Sequence, residues 1–219
     1  MGCDIHLHIE VKKNGQWVEH EWESKYNTGQ FYQDGTPMVD HFALFEDPLW
    51  ISRNYMLFAI LADVRNRNEV EPISCPRGLP REMSDTVRKR AEYWDLDAHS
   101  HSFIYLPGLL DYPWHEKKFD DSGYVGVQEY HKFKTTGETP LSAPGSPRGN
   151  QIAVTNKVMN KIDPFVAALE PVDDVHFTYI KWRSSCRDYC SKFVDKFLPI
   201  IAALADDPND VRIVFWFDN

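Results

Sequence analysis

The sequence predicts an α+β (or α/β) protein in a single domain, and three patterns carry that expectation. A strictly alternating N-terminal stretch runs into a hairpin turn. Later stretches repeat apolar residues at helical spacing. The chain closes on an almost wholly apolar run, as in a central strand covered on both faces. The expected architecture is a mixed β-sheet with an N-terminal hairpin, flanking helices and a central C-terminal strand. A length of 219 residues allows one sizeable core. Residues 137–150 (GETPLSAPGSPRGN) read as a mobile loop inserted into that domain.

From Cys3 to Lys13 apolar or small residues (Cys3, Ile5, Leu7, Ile9, Val11) alternate with polar ones (Asp4, His6, His8, Glu10, Lys12). That period of two makes a half-buried strand. Asn14-Gly15 suits a type I′ turn, in which both central residues need positive φ. A two-residue turn fixes the register: Lys13 with Gln16, Val11 with Val18, Ile9 with His20 and Leu7 with Trp22 on the core face. On the other face Glu10 meets Glu19, His8 meets Glu21 and His6 meets Glu23.

Residues 24–48 read as an ordered, turn-rich loop. A helix is expected over 52–65, with Leu57, Ile60, Leu61 and Val64 as its apolar stripe. Pro72 to Pro80 reads as a linker. Ser84 then caps a second helix, with Asp85 in its first turn and Val87, Ala91 and Trp94 along one face. Residues 111–150 lack a periodic pattern, and 151–170 read as helix interrupted at Pro164. A strand is expected over 175–182. A long helix follows over 185–204, kinked at Pro199, with Tyr189, Phe193, Phe197 and Ile200–Ile201 inward. Val211 to Phe217 is the closing strand.

The formal charge is −9, which argues against a broad nucleic-acid footprint, because phosphate backbones need a basic face. No apolar stretch approaches a membrane span, and the N-terminus lacks the basic and apolar regions of a secretory signal. Four cysteines in a chain of this length are no disulfide scaffold. A cytoplasmic protein with reduced thiols is expected.

The informative feature is Asp-x-His-x-His, which occurs as Asp4-Ile5-His6-Leu7-His8 and again as Asp97-Ala98-His99-Ser100-His101. With 20 Asp and 9 His in the chain, about 0.03 such matches arise by composition alone. Alternate residues of a strand face the same side about 6–7 Å apart. Imidazoles and carboxylates in that arrangement are ligands for Zn²⁺, Mn²⁺ or Fe²⁺. If the two copies meet, Asp4, His6, His8, Asp97, His99 and His101 supply one closed site or a bridged pair of ions suited to phosphoester hydrolysis. Glu21 and Glu23 then stand beside His8 and His6, to orient an imidazole or act as general base. A wet strand face carries the same alternation without a metal.

Arg53, at the start of a helix, suits a phosphate. Lys181, Arg183 and Arg187 cluster near a strand-to-helix junction and also suit an anion. Cys186 and Cys190 share a helix face, as buried small apolar residues do. His41, His115 and His131 fall in loops. Asp218 stands just past the closing strand, where α/β proteins often place ligand groups. The chain has no P-loop, G-x-G-x-x-G, G-x-S-x-G or H-E-x-x-H, which argues against nucleotide triphosphatases, Rossmann dehydrogenases and serine hydrolases.

The segments MGCDIHLHIE, RNYMLFAILADVRNR, DAHSHS and VRIVFWFDN together resemble a group of uncharacterised proteins of tailed bacteriophages and prophages. That resemblance implies phage origin and a host-cytoplasm setting. The D-x-H-x-H of a first strand is also similar to the start of PHP-type phosphoesterases and amidohydrolases, and implies His6 and His8 as metal ligands. Those families are (β/α) barrels, and the hairpin after the first strand departs from their order.

The leading expectation is a phage-encoded, metal-dependent hydrolase of a phosphorylated or nucleotide-like small molecule. Zn or Mn would be the metal, Glu21 or Glu23 the base or orienting group, and Arg53 the phosphate holder. One alternative is a binding protein that sequesters a host nucleotide signal without chemistry, as a counter-defence. Another is an inhibitor of a host protein, working through the acidic face and Trp50, Trp94 and Trp114. An oligomer is compatible with each.

Overall fold

The computed structural model describes residues 2–20, 27–31, 33, 35, 37–39, 51–140, 146–167 and 175–218. The fold is α+β. Residue contacts divide the chain into two compact units, residues 1–114 with 189–219, and residues 115–188.

The first unit holds β1 (Ile5–Lys13), β2 (Gln16–Glu19), β3 (Asn27–Phe31), β4 (Pro37–Val39), α1 (Tyr55–Ala62), α2 (Asp85–Trp94), β5 (Ala98–Tyr105) and α3 (Leu106–Leu110). The second holds β6 (Lys118–Gly126), α4 (Val127–Thr136), β7 (Ile152–Ala153), α5 (Asn156–Met159), α6 (Pro164–Ala167) and β8 (His176–Ser185). Helix α7 (Cys186–Tyr189) straddles the division. A π-helical turn (Phe193–Phe197), α8 (Leu198–Ala202) and β9 (Val211–Asp218) return to the first unit.

Strands β1 and β2 form the expected hairpin. Asn14 (φ 50°) and Gly15 (φ 81°) both take positive φ at its turn. Lys13 faces Gln16, Val11 faces Val18 and Glu10 faces Glu19, and His20 donates its N–H to the Ile9 carbonyl at 2.8 Å. Glu21, Trp22 and Glu23, the rest of that register, lie outside the described residues, as do His41, Trp50 and most of 24–48.

The main sheet has the order β2-β1-β9-β5, with every pairing antiparallel. Strand β9 is its centre, and Val211 to Phe217 are all buried, which explains the unbroken apolar run. Ile213, Phe215 and Phe217 point to one face, where Phe217 meets Phe58 of α1 at 5.0 Å between ring centroids. Helix α1 is buried from Met56 to Ala62, capped by the Asn54 side chain on the Leu57 N–H.

The opposite face, carrying His6, His8 and Glu10, is not wet. Helix α2 covers it through Val87 and Ala91, which pack on Val214 and Trp216. Ser84 caps α2 as expected. The alternation in β1 therefore marks two faces of different polarity, both covered, rather than one dry and one wet. Glu10 is buried because Arg212 beside it on β9 neutralises it.

The second unit has a three-stranded sheet, β6-β8-β7, antiparallel then parallel. Strand β6 and helix α4 occupy the stretch that lacks periodicity, and α4 carries His131, which is not in a loop. Val125, Val127, Tyr130, Met159, Ile180 and Trp182 form this unit's core. Within 151–167 the structure has two short helices rather than one, with Pro164 opening the second. The long helix expected over 185–204 is broken. Pro199 has no N–H to donate, and the turn before it loosens to π geometry. Phe193 and Phe197 are buried as expected, whereas Tyr189 is exposed. Cys3, Cys186 and Cys190 are buried, and Cys75 is exposed. Among the described residues no helix is long and apolar enough to cross a membrane.

Candidate functional site

The start of β1, the end of β9 and the start of β5 come together where the strands of the main sheet end, the Asp218 edge, and the two Asp-x-His-x-His copies flank β9 there. Asp218 is the junction. Its Oδ1 accepts the Asp4 N–H at 2.9 Å, its Oδ2 lies 3.2 Å from His6 Nε2, and its residue pairs with Ala98 of β5. Its own N–H reaches the Asp4 carbonyl at 3.2 Å. The carboxylate favours the His6 tautomer with the proton on Nε2, leaving Nδ1 as acceptor. His6 and Asp218 are each about a quarter exposed, at 23%.

Asp4 is turned to Arg53. The guanidinium donates from Nε at 2.9 Å and from a terminal nitrogen at 2.6 Å, a bidentate pair in which both side chains are half-exposed. These hydrogen bonds hold the Asp4 carboxyl below the usual carboxylate range. Arg53 immediately precedes the cap of α1, so the helix sets its position.

His8 lies two residues along β1 on the same face. Its Nδ1 is 2.9 Å from Glu19 Oε1 on β2, and Arg90 of α2 binds the same oxygen. Arg90 is also 3.3 Å from His8 Nδ1. One nitrogen cannot both donate to Glu19 and accept from Arg90, so the carboxylate takes both protons. The His8, Glu19 and Arg90 side chains are all nearly buried.

The indole of Trp216 joins these groups. His8 stacks on it at 4.8 Å, His6 at 5.9 Å, and His101 approaches from the other side of β9 at 5.8 Å. Trp94, at the end of α2, lies 4.0 Å from the His6 ring. The indole N–H groups of Trp94 and Trp216, Arg90 Nε and Glu19 Oε2 are buried with no protein partner among the described residues. Such atoms are places where a water or a ligand atom fits.

The second copy does not present its imidazoles together. Ser100 has φ 54°, and the β5–β9 register shifts between His99 and Ser102. This bulge turns two consecutive polar residues against one partner. His99 consequently stacks near Phe217, at 6.0 Å, whereas His101 stands by Trp216 on the opposite face. His99 Nε2 lies 4.0 Å from Cys3 Sγ, and Ser100 Oγ is 3.0 Å from its Nδ1. Burial raises the Cys3 thiol pKa against the pull of the neighbouring Arg65. Burial, then His99, lowers that of His101. Asp97 is exposed in the short helical turn Asp95–Asp97.

Of the six expected ligands, then, His6 and His8 share a face of β1, Asp4 pairs with Arg53, His101 joins the first two across β9, and His99 and Asp97 stand apart. Among the described residues no group of three His, Cys, Asp or Glu side chains is arranged to hold a metal ion. Glu21 and Glu23 lie outside the described residues; Glu19 holds His8 instead. A cavity of about 470 Å³ lies at the far end of the hairpin, lined by Gly15, Gln16, Trp17, Glu82, Met83, Ser84 and Asp85, with none of the motif residues.

Sequence reasoning gave Asp218, Glu19, Trp216 and Cys3 no leading role. The position of Asp218 at a strand end was its one visible signal. Glu19 was visible as the partner of Glu10 in the hairpin register, yet it turns to His8. No family model, curated protein or solved structure matches the chain.

Proposed function

We propose that the Asp218 edge handles a small phosphorylated or nucleotide-like molecule and hydrolyses it with a divalent metal, Zn²⁺ or Mn²⁺. The observation that supports this most is Asp218 itself, a single carboxylate on which Asp4 and His6 converge 212 to 214 residues away. Five chain segments contribute charged or titratable groups within that neighbourhood: Cys3 to His8, Arg53, Arg65, His99 to His101 and Asp218. Ligand atoms sharing one ion, with bonds of about 2.0–2.2 Å, stand close to the separation of His6 Nε2 and Asp218 Oδ2. A metal there would polarise a phosphoryl oxygen and acidify a bound water. His6 and Asp218 would hold it, Asp4 would join once released from Arg53, and the freed guanidinium would take the phosphate. The resemblance to phage proteins sets this activity in an infected host.

A second reading, binding without chemistry, is favoured by the absence of three converging ligands among the described residues. One experiment separates the two. The purified protein is incubated with bis-p-nitrophenyl phosphate and with nucleotides, with Mn²⁺, Zn²⁺ or EDTA. Hydrolysis that needs metal and falls about a hundredfold or more in His6→Ala and Asp218→Asn, with both variants folded, supports the enzyme. A nucleotide bound and recovered unchanged supports sequestration. Neither hydrolysis nor binding removes both.

A further inference from the structure

The acidic balance of the chain is not shared by its two units. Residues 115–188 contain ten Lys or Arg and ten Asp or Glu, so the entire formal charge of −9 belongs to the other unit. The second unit is therefore neutral rather than acidic, and one face of its sheet is exposed from Tyr179 to Arg183 between the buried Phe177 and Ser185.

The β6–β8 register defines that face. Tyr124 stands opposite Tyr179, Ser122 opposite Lys181 and Asp120 opposite Arg183. The alternate residues, Val125, Ile180 and Trp182, point inward to the core. On the outer face Tyr179, Lys181 and Arg183 are all exposed. The two tyrosine rings meet edge to face at 5.3 Å, and the Tyr179 hydroxyl donates to Ser122 Oγ at 2.7 Å, which fixes the pair. Arg183 is 3.6 Å from Asp120, with side chains 68% and 96% exposed, a loose pair that another anion can displace.

We propose that this face binds a short single-stranded nucleic acid. Tyr179, backed by Tyr124, gives a base a stacking surface, and Lys181 and Arg183 take phosphates. Residues two apart on a strand are about 6.6 Å apart, so the row from Tyr179 to Arg183 runs about 13 Å and follows about two extended nucleotides. Lys181 and Arg183 are too few cations for a double-stranded footprint. Ribose and deoxyribose strands share the base and phosphate chemistry that the face reads.

The test is fluorescence anisotropy of the full chain with labelled dT10 and rU10 over a series of KCl concentrations. Two phosphate contacts give a slope of log K against log salt of about −1.4, falling to about −0.7 in Lys181→Ala. Tyr179→Ala weakens binding about tenfold, the value of one lost stack. Asp120→Asn strengthens binding, because Arg183 is released. Lys181 and Asp120 are exposed, so thermal unfolding of those variants stays as in the parent, whereas Tyr179→Ala also loses a cross-strand pair worth about 0.2–1 kcal/mol and remains folded. Binding of either strand with this pattern supports the proposal, and tighter rU10 adds a 2′-hydroxyl contact. No binding at the lowest salt overturns it. So does binding indifferent to both Tyr179→Ala and Lys181→Ala, or a poly-glutamate peptide bound as tightly with no dependence on Tyr179.

Discussion

Strands β1 and β9 carry the same chemical device at their two ends, an arginine gripping a carboxylate with two hydrogen bonds, in opposite surroundings. At the hairpin end Arg212 donates to Glu10 Oε2 at 2.8 and 2.6 Å, and the side chains are 2% and 0% exposed. Glu10 Oε1 also accepts the Ser84 N–H at 2.6 Å, and Arg212 reaches the Glu82 carbonyl and lies 3.8 Å from the Trp17 ring centroid. At the other end Arg53 also donates twice, but to both oxygens of Asp4 rather than to one, with 48% and 51% of their side chains exposed. The first pair has lost its water and is tied to four elements of structure. The second keeps its water and, among the described residues, joins the start of β1 to the start of α1. A buried charge must keep its partner, whereas an exposed one can exchange it. Burial thus separates an ion pair that organises the fold from one available to a ligand.

The largest effect expected from this contrast is at the buried end. Arg212→Ala leaves the Glu10 carboxylate without its counter-charge under α2, and costs about 3–5 kcal/mol of unfolding free energy. The urea midpoint reads it directly. Replacing both partners, Arg212→Met with Glu10→Leu, recovers much of the loss, because an apolar pair of similar volume avoids the desolvation cost. A single variant as stable as the parent would show that water reaches this end, and the contrast between the two pairs would fail.

The buried pair also marks where the sequence stops being informative. The hairpin was legible because Asn14-Gly15 dictates a two-residue turn and the turn dictates the register. Strand β9 was legible because only a strand covered on both faces tolerates VRIVFWF, and Arg212 was its one discordant letter. What made Glu10 and Arg212 compatible with the interior is their mutual pairing across 202 residues, a long-range fact no local pattern carries. The second motif failed to predict its geometry for a different reason. A period of two places His99 and His101 together only in a regular strand, and the left-handed Ser100 reverses one of them. Strand β6 was missed because Asp120-Asp121-Ser122-Gly123 has poor strand propensity, and pairing with β8 overrides it.

A smaller effect is expected from His101, which sharpens the contrast on the Trp216 face. Its folded pKa lies below the ordinary value of about 6.5, because burial and then His99 disfavour the cation. Between those two values the unfolded chain binds more protons, so stability falls as pH drops below about 6.5 and stops falling once the folded value is passed. A melting temperature lower at pH 5.5 than at pH 7.5 is expected, with the difference reduced in His101→Gln. Part of the slope remains in that variant, because burial lowers His20 in the same direction. A difference unchanged by His101→Gln would mean that this imidazole titrates as it does in water.

The smallest effect on stability, and the sharpest test of the comparison, is at the exposed pair. Arg53→Ala and Asp4→Asn remove one partner each from a fork in water, and neither is expected to move the urea midpoint at neutral pH resolvably. Asp4 titrates below the usual carboxylate range, so any stability it contributes is present at neutral pH and is lost only as pH falls through that lowered value. The two substitutions separate in function. Arg53→Ala is expected to weaken binding of a phosphorylated ligand, raising KM or Kd about tenfold or more, because a bidentate phosphate contact is lost. Asp4→Asn frees the guanidinium and is expected to leave that affinity intact or tighten it, while metal-dependent turnover falls with the lost carboxylate. If instead both substitutions destabilise the fold as Arg212→Ala does, the outer fork is structural and Arg53 is not available to a substrate.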